Sequence, residues 1–267
     1  MRALLIVVAG VVLAAPTASS QVVSQLRHWS GQSVAPVYEG FDINPDGSFN
    51  MWFGYMNRNY EEELDLPVGP DNRIEPAPPG KSGPDAGQPT HFDTRRHKDV
   101  FSVTVPKDFG SRSLTWSLTM RGKTESIAAT LNPVWQIDRR RTTRGGNSEN
   151  VNSNTPPVVT AEPPQQSVSV SKSATLNIAA TDDGLPRRRG GSGMTVEWEQ
   201  YRGPGHVTFA PAKQAIANGK ATATATFSAP GSYTLMAVVD DGSGESAGNF
   251  GYHCCWTNAL VTVTVTP

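Results

Sequence analysis

Three stretches of this chain carry residue types and spacings that could do chemistry. Cys254 and Cys255 are the only cysteines, adjacent in sequence and flanked by His253 and Trp256. Asp182-Asp183-Gly184 and Asp240-Asp241-Gly242 repeat one tripeptide, and four carboxylates offer the hard oxygen donors that Ca²⁺ takes. His91-Phe92-Asp93 and His97-Lys98-Asp99 repeat His-x-Asp six residues apart. Such nitrogen and oxygen donors could gather a divalent metal, or serve a hydrolase if they converge in one concave pocket. Glu61-Glu62-Glu63 adds carboxylates just upstream.

Each stretch also has a plain structural reading. Asp-Gly caps and turns strands. Arg95 and Arg96 sit inside the His-x-Asp repeat and would oppose a cation, and a run of glutamates is commonly a solvated edge. Adjacent Cα atoms across a trans peptide lie about 3.8 Å apart, against about 4.4–6.8 Å for ordinary disulfides. A vicinal bridge, a pair of free thiols and an intermolecular link therefore all stay open. Gly244-Glu245-Ser246-Ala247-Gly248 matches the G-x-S-x-G elbow, but no carboxylate residue follows Ser246 to complete a triad. Gly122-Lys123-Thr124 imitates the end of a phosphate loop without its first glycine, since Ser117 stands there.

The elements that must position these groups read as strands. Arg2 precedes thirteen apolar or small residues, Ala3 to Ala15, and Ala18-Ser19-Ser20 offers a cleavage site. This predicts a secretory signal peptide over 1–20, too short to span a membrane. About 245 residues remain, enough for two ordinary domains. With 23 basic against 24 acidic residues and net charge −1, no basic face invites nucleic acid. Gly 25 and Pro 21 suit many short strands with tight turns.

Over 34–138 the alternating runs Val37–Phe41, Ser48–Met56, Val100–Val105, Leu114–Met120, Ile127–Leu131 and Val134–Ile137 predict a first β-sandwich. Phe49, Met51, Phe53 and Tyr55 share its core face by the two-residue period. The Pro/Gly-rich connection 67–99 is long enough to be functional. An Arg/Gly/Pro-rich linker is expected over 139–165, flexible and stiffening where proline takes over.

Over 166–267 seven strands predict a second sandwich. They are Val168–Val170, Ala174–Ala180, Met194–Tyr201, Val207–Ala210, Lys220–Phe227, Ser232–Val239 and Leu260–Thr266. Trp198 stands where this architecture buries an aromatic between its sheets, and Tyr233 where a tyrosine pins a corner. The loops after the second and sixth strands lie at one pole, so the two Asp-Asp-Gly corners are expected together there.

The run Pro230-Gly231-Ser232-Tyr233-Thr234-Leu235-Met236-Ala237-Val238-Val239-Asp240-Asp241-Gly242 resembles the signature of PKD-like domains, extracellular β-sandwiches of immunoglobulin type. The strand Val196-Glu197-Trp198-Glu199-Gln200-Tyr201 keeps that family's aromatic but lacks the Gly-Asp-Gly turn after it. The resemblance covers roughly the last 100 residues. It implies adhesion, spacing or carbohydrate binding and brings no catalytic residues. The N-terminal half resembles uncharacterised secreted bacterial proteins, without an implied function.

The fold class expected is therefore all-β, two immunoglobulin-like sandwiches behind a leader. The leading functional expectation is a secreted, non-catalytic binding or structural protein of the envelope or extracellular space. Its surface would be the pole bearing His253, Cys254, Cys255 and Trp256, with Asp182, Asp183, Asp240 and Asp241 holding calcium. Partners would be protein or carbohydrate at the cell surface. The alternative is a hydrolase with a site in loop 67–99, using His91, Asp93, His97 or a carboxylate from Glu61 to Glu63; a passive spacer is a third reading.

Overall fold

A computed structural model describes residues 27–81, 83–137, 154–185, 193–242 and 254–267. The expected signal peptide, most of the linker, the Ser246 motif and His253 lie outside the described residues. All regular elements among the described residues are strands, apart from one 3₁₀ turn.

In the first half, β1 (Val34–Ile43), β2 (Phe49–Asn57), β3 (Leu64–Asp65), β4 (Asn72–Glu75), β5 (His91–Phe92), β6 (Arg95–Val105), β7 (Ser113–Met120) and β8 (Lys123–Thr130) follow in order. They make two three-stranded antiparallel sheets, β1-β2-β6 and β4-β7-β8, plus a ribbon of β3 with β5. The alternation on β2 works as expected: Met51, Phe53 and Tyr55 are buried, and Phe49 packs against them. Trp116 of β7 reaches across the sandwich edge-on to Phe53 and Phe101, centroids 5.9 and 5.0 Å away. Quadrupole-favoured aromatic packing thus joins the two sheets.

Val134–Ile137 is a correction. The stretch forms a 3₁₀ turn, Pro133–Trp135, and touches β1 through a single bridge, Phe41 to Gln136. Asn132 accepts the Val134 amide with its side chain, and proline opens the turn without needing a donor. The apolar run had suggested a strand, but these two residues favour a turn.

The second half contains β9 (Val158–Ala161), β10 (Gln165–Ser169), β11 (Ala174–Thr181), β12 (Thr195–Arg202), β13 (Val207–Ala210), β14 (Lys213–Ala215), β15 (Lys220–Phe227), β16 (Gly231–Asp240) and β17 (Trp256–Thr266). One sheet runs β9-β11-β15-β13 and the other β10-β17-β16-β12-β14, with β10 parallel to β17. This is the strand arrangement of an immunoglobulin-like sandwich. Strand β9 falls inside the segment read as linker and pairs with β11 from Ala161–Ile178 to Val158–Thr181. Its short, valine-bearing run was masked by the prolines around it.

Both sequence markers of the second sandwich behave as their chemistry requires. Trp198 on β12 is buried, stacked 6.4 Å from Phe209. The Tyr233 hydroxyl donates to the Ala229 carbonyl at 2.8 Å, closing the corner before β16. Its ring lies against the backbone at Gly203, where an added Cβ would run into it, and its hydroxyl lies beside Gly205.

The two halves meet along a seam. Tyr201 and Met236 of the second sandwich are buried in the apolar cluster of the first. The Thr90 amide donates to the Tyr201 carbonyl at 3.1 Å, and the Tyr201 hydroxyl to the Gly87 carbonyl. Arg202 forks onto Asp85 with two 2.9 Å bonds and also reaches the Gln88 carbonyl. Asn258 donates to the Asp99 carbonyl at 2.9 Å. The connection 67–99 is therefore largely packed structure, folded between the sandwiches.

Candidate functional site

Two places gather the chemistry-bearing residues, and they lie in different parts of the molecule. At the pole of the second sandwich, Cys254 and Cys255 are joined to each other by a disulfide, across a cis peptide with Cα atoms 3.1 Å apart. Both are essentially buried, as is Trp256. Both sulfurs face the Asn154 carbonyl, at 3.9 and 3.6 Å. Trp256 lines a cleft between the halves with Trp52, Val100 and Tyr201.

The Asp-Asp-Gly corners are tied at that pole by the segment entering β9. Asn154 donates to Asp241 Oδ2 at 2.9 Å. Its neighbour Thr155 donates to Asp183 Oδ2 through both amide and hydroxyl, at 2.9 and 2.7 Å. Asp182, Asp183 and Asp240 also cap their own turns, accepting from Gly184, Leu185 and Gly242. Burial raises the Asp182 carboxyl above its ordinary pKa. Among the described residues the four aspartates do not gather three ligand atoms within 4.8 Å of one another. Hydrogen-bond donors from Asn154 and Thr155 take one oxygen each of Asp241 and Asp183.

The second place is the β3–β5 ribbon. Its register sets Leu64 opposite Phe92 and Asp65 opposite His91. Because side chains alternate along a strand, Leu64 and Phe92 face the core, while Glu63, Asp65, His91 and Asp93 share the other face. Phe92 is fully buried, 5.0 Å from the Tyr55 ring, which anchors the ribbon to the first sandwich. His91 is itself only 4 % exposed.

His91 Nδ1 sits 2.8 Å from Asp65 Oδ1. Its Nε2 faces Glu63 Oε2 at 3.4 Å and Asp93 Oδ1 at 3.6 Å. Burial alone would lower the His91 pKa, but Asp65, Asp93 and Glu63 outweigh it and push it up to about 11. The His91 ring in turn holds Glu63 below its ordinary value. His206, on the loop after β12, approaches from the other half with Nδ1 3.4 Å from the same Glu63 oxygen.

Of the residues read as an alternative hydrolase site, then, Glu63, His91 and Asp93 come together and the others do not. His97 stacks on Tyr55 at 4.9 Å and pairs with Glu199 of β12 at 3.3 Å. Burial lowers its pKa, but Glu199 and then Asp93 raise it to about 9. Glu62 pairs with Arg121 at 2.6 Å. The arginines expected to repel a cation are engaged elsewhere: Arg96 forks onto Glu39 at 2.6 and 2.7 Å, and Arg95 lies over the Tyr60 ring at 3.9 Å. Asp65 and His206 were missed by sequence reasoning. Asp65 had a readable signal in its two-residue spacing from Glu63, whereas His206 lies 115 residues beyond His91 and only the fold brings it close.

No protein-family model and no curated protein matches the chain. Among solved structures it is similar to the D00-D0 domain of Intimin, at 12 % identity, over 87 % of this chain and 100 % of that one, TM-score 0.28. It is also similar to the Yersinia pseudotuberculosis adhesin InvE, at 13 % identity, over 86 % of this chain and 58 % of that one, TM-score 0.27. Domains 4 and 5 of the S-layer protein SbsC align at 14 % identity, over 59 % of this chain and 66 % of that one, TM-score 0.27. Superposition at this level carries no argument about function.

Proposed function

We propose that the chain is a secreted, non-catalytic binding or structural protein of the cell envelope or extracellular space, built as a stiff pair of sandwiches. Its second half is a PKD-like module, and the pole around Cys254, Cys255 and Trp256 presents the loops that engage a surface protein or carbohydrate. One observation carries this reading: the chain's only two cysteines are spent on a buried disulfide with each other. Disulfides persist in oxidising compartments and are rare where glutathione keeps thiols reduced. The bridge lies against Asn154, which also holds Asp241, so it stabilises the base from which the polar loops leave. Recognition loops on a rigid sandwich are the common arrangement in such folds.

The test has two parts. Cells producing the full chain are fractionated, and the product's intact mass is measured without reductant. Export with the leader removed, and a mass short by two hydrogens, is expected; a cytoplasmic product with two alkylatable thiols overturns the proposal. The mature protein is then sedimented with isolated envelopes and with cell-surface polysaccharide. Co-sedimentation with either is expected, and free protein in both removes the binding role.

A further inference from the structure

The geometry points to a zinc-class metal site on the β3–β5 ribbon, made by Glu63, His91 and Asp93 and completed across the seam by His206. Zinc bonds of about 2.0–2.2 Å at tetrahedral angles place neighbouring donors about 3.3–3.6 Å apart. The ribbon holds His91 Nε2 3.4 Å from Glu63 Oε2 and 3.6 Å from Asp93 Oδ1. His206 Nδ1 adds another 3.4 Å edge to that Glu63 oxygen. These separations are longer than ordinary N–H···O bonds of about 2.7–3.2 Å, yet they match the edges of a metal tetrahedron.

Three further features fit a metal better than a solvated charge cluster. Asp65 holds Nδ1 of His91 at 2.8 Å, the carboxylate support that fixes a ligating imidazole and turns its other nitrogen to the ion. Asp93 Oδ2 is buried and makes no hydrogen bond among the described residues, so this carboxylate is not consumed by other donors. Arg95 and Arg96 are directed to Tyr60 and Glu39, leaving the face of the ribbon open to a cation. Imidazole nitrogens among the donors select zinc and its neighbours over calcium or magnesium. His206 is the most exposed of the four ligands, with 59 % of its side chain accessible, and its ring would have to swing toward the ion to join Glu63, His91 and Asp93, which already lie within 4.8 Å of one another. Closing the coordination shell with His206 would join the two sandwiches through one ion.

The full mature chain, with its disulfide intact, is loaded with Zn²⁺, dialysed into metal-free buffer and assayed by elemental analysis. Co²⁺ is bound in parallel and its visible spectrum recorded. One zinc per chain, intense tetrahedral Co²⁺ bands and a higher melting temperature with zinc are expected. His91→Gln and Asp93→Asn should each abolish the bound ion, and His206→Gln should weaken it without abolishing it. Asp65→Asn should weaken binding about 10–100-fold. Far-ultraviolet circular dichroism identifies any variant that fails to fold, and either of the two abolishing variants suffices if the other does. Absence of stoichiometric zinc in the wild type, or binding retained in folded His91→Gln or Asp93→Asn, overturns the site.

Discussion

His97 of the first sandwich and Glu199 of the second face each other at 3.3 Å, Nδ1 to Oε1, so a titratable pair spans the seam. The pocket around it also presents Arg96, Glu197, Lys213 and Asp240, and Asp93 acts on His97 from the ribbon. Because the folded-state pKa of His97 is raised from 6.5 to about 9, its stabilisation is fully present below 6.5 and is lost as pH rises through 9. Urea midpoints should therefore fall between these values in the wild type. Glu199→Gln should remove the His97 share of that slope and leave the share of His91, whose pKa is raised to about 11; an unchanged slope would show that the pair does not contribute to it.

Tyr201 and Arg202 fasten the same seam. Tyr201→Phe removes the hydroxyl that donates to Gly87 and keeps the buried ring, for a loss of about 0.5–1.5 kcal/mol. Asp85 is more than half exposed in its bond to Arg202, so a double-mutant cycle on that pair should give only about 0.2–1 kcal/mol of coupling. Chemical denaturation of the wild type, Tyr201→Phe and the three variants of the cycle measures both values.

The Tyr233 corner offers a steric contrast. Tyr233→Phe loses one hydrogen bond to Ala229, costing about 0.5–1.5 kcal/mol. Gly203→Ala drives a methyl into the Tyr233 ring, an overpacking of about 1–3 kcal/mol. Thermal melts should rank the alanine variant as the less stable; the reverse order would mean that the loop moves aside freely.

Glu125 makes the opposite pH prediction to His97. Arg58 beside it, with smaller help from Lys123 and Ser33, outweighs burial and lowers its pKa from 4.5 to about 2. Its stabilisation is thus present above 4.5 and is lost as pH falls through 2. Glu125→Gln should lower denaturant midpoints at neutral pH and converge with wild type in strong acid, a comparison read from paired urea titrations.

Much of the framework was legible in order of residues alone. Ala221, Ala223, Ala225 and Phe227 on β15 and Val261, Val263 and Val265 on β17 are buried as their alternation demanded, since a pleated strand with one covered face leaves a two-residue pattern in the sequence. Trp198 and Tyr233 were equally readable, because each answers a local requirement of the sandwich. Strands β3, β4, β5, β9 and β14 were not, being two to four residues long, too short to show any period.

Sequence by itself determined the all-β class, the faces of the long strands and the stock of carboxylates, imidazoles and thiols. Tertiary structure alone decided which of those groups meet. Glu63 and His91 are 28 residues apart and His206 another 115, and their approach depends on the register of a two-strand ribbon and on the docking of one sandwich against the other. Alternation records which way a side chain faces along its own strand, but convergence is set by contacts between elements distant in the chain, and no local pattern encodes those.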